Sequence, residues 1–153
     1  MKRFKHIPQF LTWLTGITAA IATVGFAGST PANAKIGSCT EPIVFGTTIS
    51  ESGPFSTLTS NWRKMTEIFA EEINKEGGIK LASCDGKSVP LKFAIYDDQS
   101  VPATAVQLYE RMASVDQVDF FVGPDWSSLG GPVPPIAERH GIPIVMGNVA
   151  TPS

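Results

Sequence analysis

The chain has 153 residues, with 12 Lys and Arg against 14 Asp and Glu for a formal net charge of −2, and 42% of its residues are hydrophobic. That length suits one domain. The acidic balance excludes a nucleic-acid binder, because phosphates need basic partners.

The first segment reads as a targeting signal. Lys2, Arg3 and Lys5 precede an apolar run from Leu11 to Gly28, and Ala32-Asn33-Ala34 offers the small-residue pattern of a cleavage site. Residues 1–34 are therefore expected to be a signal peptide cut after Ala34, exported by the general secretion route, with residues 35–153 left to fold. The alternative is an uncleaved anchor, since about 18 apolar residues just span a bilayer. Cleavage removes three basic residues and no acid. The remainder holds 9 basic and 14 acidic residues, a balance of −5 that favours solubility.

An exported chain meets an oxidising compartment, so Cys39 and Cys84 are expected to pair as a disulfide. The alternative is two buried or free thiols. Neither cysteine has zinc-like spacing with His6 or His140. "IGSC" before Cys39 resembles a lipoprotein box, but it lies past the apolar run, so lipid anchoring is not expected.

Strand and helix patterns then alternate. Ile43–Ile49 is β-branched and apolar and reads as a buried strand. "ESGPFSTLTS" is turn-rich and reads as a loop. Residues 61–76 read as a helix with Met65, Ile68, Phe69 and Ile73 on one inward face, Trp62 a turn earlier, and Gly77-Gly78 stopping it. "LASCDGKSVP" reads as a loop. Leu91–Tyr96 reads as a second strand, with Asp97-Asp98 at its carboxyl end. A second helix is expected from Pro102 to about Val115, turning Val106, Tyr109 and Ala113 inward. "VDFFVG" is a third strand, Ile136–His140 a third helix closed by Gly141, and "IPIVMG" a fourth strand. This order predicts an α/β fold: a doubly wound, mainly parallel sheet with helices on both faces. In such sheets ligands sit outside the carboxyl ends of the strands.

Enzyme chemistry finds little support. Neither Ser127 nor Ser128 has the Gly-x-Ser-x-Gly frame of a nucleophile elbow, and there is no dinucleotide or Walker glycine motif. His140, at a predicted helix end, reads as a charge favoured at a helix C-terminus. Asp97 and Asp98 read as partners of local amides before a metal or a ribose. No catalytic role, metal or cofactor is expected. Binding fits better, with helix N-terminal amides and a serine hydroxyl suited to a carboxylate and Trp126, Trp62 or Phe55 as shields.

Several stretches carry a resemblance. "SGPFS" follows the first strand, "AEEINKEGGIK" ends the first helix, "YDDQSVPATAV" links the second strand to the second helix, and "FVGPDWSS" and "PIAERHGIPIV" follow in order. Together, over nearly all of Pro42–Ser153, the chain resembles the N-terminal lobe of the branched-chain amino-acid (leucine/isoleucine/valine) type of periplasmic substrate-binding protein. The resemblance implies an extracytoplasmic component of an ABC importer, a monomer in the periplasm or outside the cell. Its partners are an amino acid or similar small amide or carboxylate, and an inner-membrane permease. It implies that Ser127, with Ser128 beside it, binds the ligand's carboxylate. It also implies that Asn148 and Thr151 lie nearest its ammonium, with Val149 or Ala150 as the equivalents if the alignment slips by one. Leu58 stands where the family has an aromatic, leaving Phe55 as the wall. Pro132, Pro134 and Pro135 depart from a smooth helix start. The chain ends just after the fourth strand, so a second lobe is expected to be missing and the lobe incomplete. A sensory module of a receptor is the alternative function on the same fold.

Overall fold

A computed structural model describes residues 39–150. The expected signal peptide at 1–34 and Thr151 lie outside those residues. No helix among the described residues is long and apolar enough to cross a membrane.

In chain order the first elements are β1 (Ile43–Ile49), α1 (Ser56–Thr59), α2 (Trp62–Lys75), β2 (Ile79–Lys80), β3 (Ser88–Val89) and β4 (Leu91–Asp97). There follow α3 (Pro102–Arg111), β5 (Phe120–Val122), α4 (Ser127–Gly130), α5 (Pro134–His140) and β6 (Ile144–Val145). Four strands form one parallel sheet in the order β4-β1-β5-β6. The register pairs Ile43 with Leu91 and Ile49 with Asp97, so β1 and β4 end level with each other. This is the doubly wound parallel sheet expected from the alternating pattern.

Side chains alternate across the sheet, and the two faces are covered by different helices. On one face Phe45 stacks with Phe120 at 5.0 Å and meets Phe93 at 5.6 Å, while Phe69 of α2 reaches Phe93 edge-on at 6.4 Å. On the other, Phe121 meets Tyr109 of α3 at 4.9 Å, and Met112, Val133 and Ile136 complete a buried cluster. Gly46 lets α3 close on β1, because a Cβ there would lie 2.8 Å from Met112 Sδ.

Three expectations need correction. The stretch read as a loop, "LASCDGKSVP", holds a 3-10 turn at Ala82–Cys84 and the strand β3, which pairs antiparallel with β2. Two-residue strands are too short to show a period of two. The hairpin is built around buried Cys84, which is bonded to Cys39 with the Cα atoms 5.6 Å apart. The second helix, by contrast, ends near Val115 as expected, since α3 runs on past Arg111 into a wider helical turn over Met112–Asp116 closed by Gln117 at φ 52°. That turn brings both Met112 and Val118 onto Gly46. The loop after β1 also contains the one-turn α1.

The third correction concerns the apolar stripe of α2, which is not buried. Met65 is 63%, Ile68 44% and Phe69 54% exposed. Polar anchors set the rotation of this helix. Asn74 exchanges two hydrogen bonds with the Leu91 backbone, at 2.9 and 2.8 Å. Arg63 donates to Glu51 from Nε and Nη2, and Nη2 also reaches the Ile95 carbonyl. These fix α2 over the β4 side of the sheet, and Met65 and Phe69 line an open groove against the strands where a closed core was expected.

Candidate functional site

Strand β1 lies between β4 and β5, and the crossover from β1 runs outward to β4 while the crossover from β5 runs the other way to β6. The switch point falls between β1 and β5, where an open α/β sheet leaves a crevice outside its carboxyl ends. The loops after β1, β4, β5 and β6 border it.

The loop after β1 is held by the Asp97-Asp98 pair. Asp98 is fully buried and accepts from Thr48 Oγ1 at 2.8 Å, Ser50 Oγ at 2.6 Å and the Ser100 amide at 2.9 Å. Asp97 accepts from Ser52 Oγ at 2.6 Å and from the amides of Gln99, Glu51 and Ser52. Burial works against the charged form of Asp97, but these hydrogen bonds outweigh it and hold its carboxyl below the ordinary value. Glu51 is likewise lowered, chiefly by its hydrogen bond from Arg63. Both aspartates are thus engaged by local hydroxyls and amides. Among the described residues no three or more His, Cys, Asp or Glu cluster to hold a metal ion.

Gln99 and Ser100 both adopt left-handed backbone, at φ 59° and 61°, at a cost of roughly 1–2 kcal/mol per residue. The turn they make aims Ser100 at the neighbouring loop. Its Oγ donates to the Ser52 carbonyl at 2.8 Å and accepts from the Phe55 amide at 3.1 Å. Gly53 is required between them, since it sits at φ 81° and a Cβ would lie 2.3 Å from the Gln99 carbonyl oxygen. The Phe55 ring, so anchored, stacks on Trp126 at 4.6 Å. This pair spans the crevice from the β1 loop to the β5 loop.

Trp126 leads directly into α4, where Ser127 and Ser128 are both exposed at the start of the helix. Ser127 Oγ accepts the Ala150 amide proton at 3.0 Å, tying α4 to the segment after β6. Gly130 permits this approach, because a Cβ there would lie 2.5 Å from Val149 Cγ2. Asn148 is exposed on the same segment. The site residues expected from sequence therefore divide clearly. Ser127 is joined to the post-β6 segment, Phe55 is joined to Trp126, Ser128 and Asn148 stand exposed near them in the chain, and Thr151 lies outside the described residues.

Two features alter the expected chemistry. α4 is a single turn that ends at Gly130, capped by Gly131 before Pro132, so it contributes hydroxyls and single amides and little macrodipole. α5 starts afresh at Pro134, where a missing amide proton costs nothing. His140, in the last turn of α5, binds Glu110 Oε2 at 2.9 Å. It precedes β6 and so lies toward the amino edge of the sheet, away from the rim. Ser100 and Asp98 escaped the sequence reading as supports of the site. The Asp-Asp doublet at a strand end was the available signal.

A parallel doubly wound sheet with hydroxyls and an aromatic pair beside its switch point has the layout in which open α/β folds hold ligands. The chain belongs to the periplasmic binding protein family, which it matches over residues 42–153, a family that binds ligands without transforming them. It is 30% identical over 139 residues to the Leu/Ile/Val-binding protein homolog 3 of Brucella melitensis, a match covering 91% of this chain and 33% of that relative. The chain thus spans about a third of the length of this curated relative. Its fold is shared with the branched-chain amino acid transporter substrate binding protein LivJ from Streptococcus pneumoniae, solved with isoleucine. That likeness has a TM-score of 0.62 and 24% identity over 72% of this chain and 30% of the other. An ABC transporter substrate-binding protein from Sphaerobacter thermophilus matches with a TM-score of 0.56 and 23% identity, over 72% and 28% of the two chains.

Proposed function

We propose that this chain is the N-terminal ligand-binding lobe of an exported solute-binding protein that serves an ABC importer. Its ligand is a branched-chain amino acid or a similarly small carboxylate or amide. Residues 1–34 serve as a cleaved signal peptide without a lipid anchor, and the lobe works in the periplasm or outside the cell. The Cys39–Cys84 bond suits an oxidising compartment, and the name of the curated Brucella relative supports the ligand class.

The observation that carries the proposal is the state of the Ser127 hydroxyl. A serine hydroxyl has one proton to donate and two lone pairs. The Ala150 amide occupies a lone pair, so the proton remains for an anion in the crevice. Ser128 adds a second hydroxyl, Asn148 and Thr151 offer oxygens to the ammonium, and Phe55 on Trp126 keeps water from one side. Shielding matters, because exposed ion pairs are worth only about 0–1 kcal/mol.

Calorimetric titration with L-leucine tests this reading. A hydrogen bond to a charged group is worth about 1.5–3 kcal/mol, so Ser127→Ala is expected to weaken binding by roughly tenfold to a hundredfold. Unchanged affinity in Ser127→Ala would remove this serine from the site.

A further inference from the structure

A second opening lies between α2 and the carboxyl ends of β1 and β5, with Phe93 of β4 beside it. Its volume is 380 Å³, within the range of about 300–1,000 Å³ found for small-molecule sites. Trp62, Met65 and Phe69 of α2 form one wall and Phe93 of the sheet forms the other. Thr47 and Asp125 make one part of the lining polar, and Asp125 is the only charged side chain among the lining residues.

Asp125 differs from the other aspartates of the rim. Asp97 and Asp98 each accept several hydrogen bonds. The Asp125 carboxyl accepts none from the described residues, and burial alone pushes it above its ordinary value, with no hydrogen bond or cation opposing. A half-buried carboxyl without a partner is costly to charge, and an arriving cation relieves that cost. Aromatic faces attract the same cation, while the exposed Met65 and Phe69 gain from covering by an apolar body.

We propose that this groove binds a small organic ammonium ion, with its nitrogen at Asp125 and its apolar body against Trp62, Phe69 and Phe93. The inference stands apart from the carboxylate site at Ser127, and its test uses no amino acid. Calorimetric titration of the full chain with n-hexylammonium, hexan-1-ol and hexanoate separates charge from apolar contact. The ammonium is expected to bind, the alcohol at least about tenfold more weakly and the carboxylate not at all. Asp125→Asn is expected to weaken the ammonium by about tenfold or more while the thermal melt stays unchanged. Met65→Lys, which puts a cation on an exposed wall without touching Asp125, is expected to abolish binding as well. Equal binding of the alcohol, full binding by Asp125→Asn, or no binding at all would overturn the proposal. So would ammonium affinity that falls with rising protein concentration, because another copy of the chain would then occupy the groove.

Discussion

Replacing Asp98 with alanine is expected to lower the free energy of unfolding by about 3–5 kcal/mol. Two buried hydroxyls and one amide share this carboxyl, and each buried donor left without a partner costs about 1–3 kcal/mol. The estimate sits below the simple total because hydroxyls rotate toward other acceptors. Asp98→Asn keeps the shape and one acceptor oxygen and is expected to lose less. Urea denaturation reads both, as a shift of midpoint at constant slope. The effect reaches the ligand rim, because Ser100 is held by Asp98 and in turn holds the Phe55 amide. Faster hydrogen exchange at Phe55 is therefore expected in Asp98→Ala. A loss under about 1 kcal/mol would mean that Asp98 is not the anchor of the β1 loop.

Removing the disulfide is the second large effect. Cys39 and Cys84 are 45 positions apart, and closing a loop of that length restricts the unfolded chain by roughly 3–4 kcal/mol. The Cys39→Ser, Cys84→Ser double variant should lose about that much, and the oxidised chain should melt well above the reduced one. The bond also carries a local role. Cys84 is buried in the turn that joins β2 to β3, two-residue strands with little else to hold them. The hairpin amides of Ile79–Val89 should therefore lose protection in the double variant before the central sheet does. Identical melting with and without reductant would contradict this.

Much of the fold was legible because it rests on local patterns. The β-branched run Ile43–Ile49 is strand β1 with the same bounds, and Pro102 opens α3 as the N1 rule requires. Gly141 closes α5 at φ 65°. What stayed hidden depends on contacts distant in sequence. The rotation of α2 is decided by Asn74 on Leu91 and Arg63 on Glu51, neither visible in the helix's own periodicity. The left-handed turn at Gln99-Ser100 lacks the glycine that normally marks one. The Phe55–Trp126 stack joins loops that only the parallel crossovers bring together. For the candidate site, the resemblance picked out Ser127. It gave no sign of the Ala150 amide that leaves the hydroxyl proton available, nor of the unpartnered Asp125 two residues earlier.

The most direct measurement is a proton–nitrogen NMR titration of the chain with L-leucine, following every backbone amide. Binding at the switch-point rim should move Phe55, Trp126–Gly130 and Gly147–Ala150, and leave His140 and Glu110 at rest. Perturbations centred on the amino edge of the sheet, with the Ser127 and Phe55 amides unmoved at saturation, would contradict a carboxylate site at Ser127.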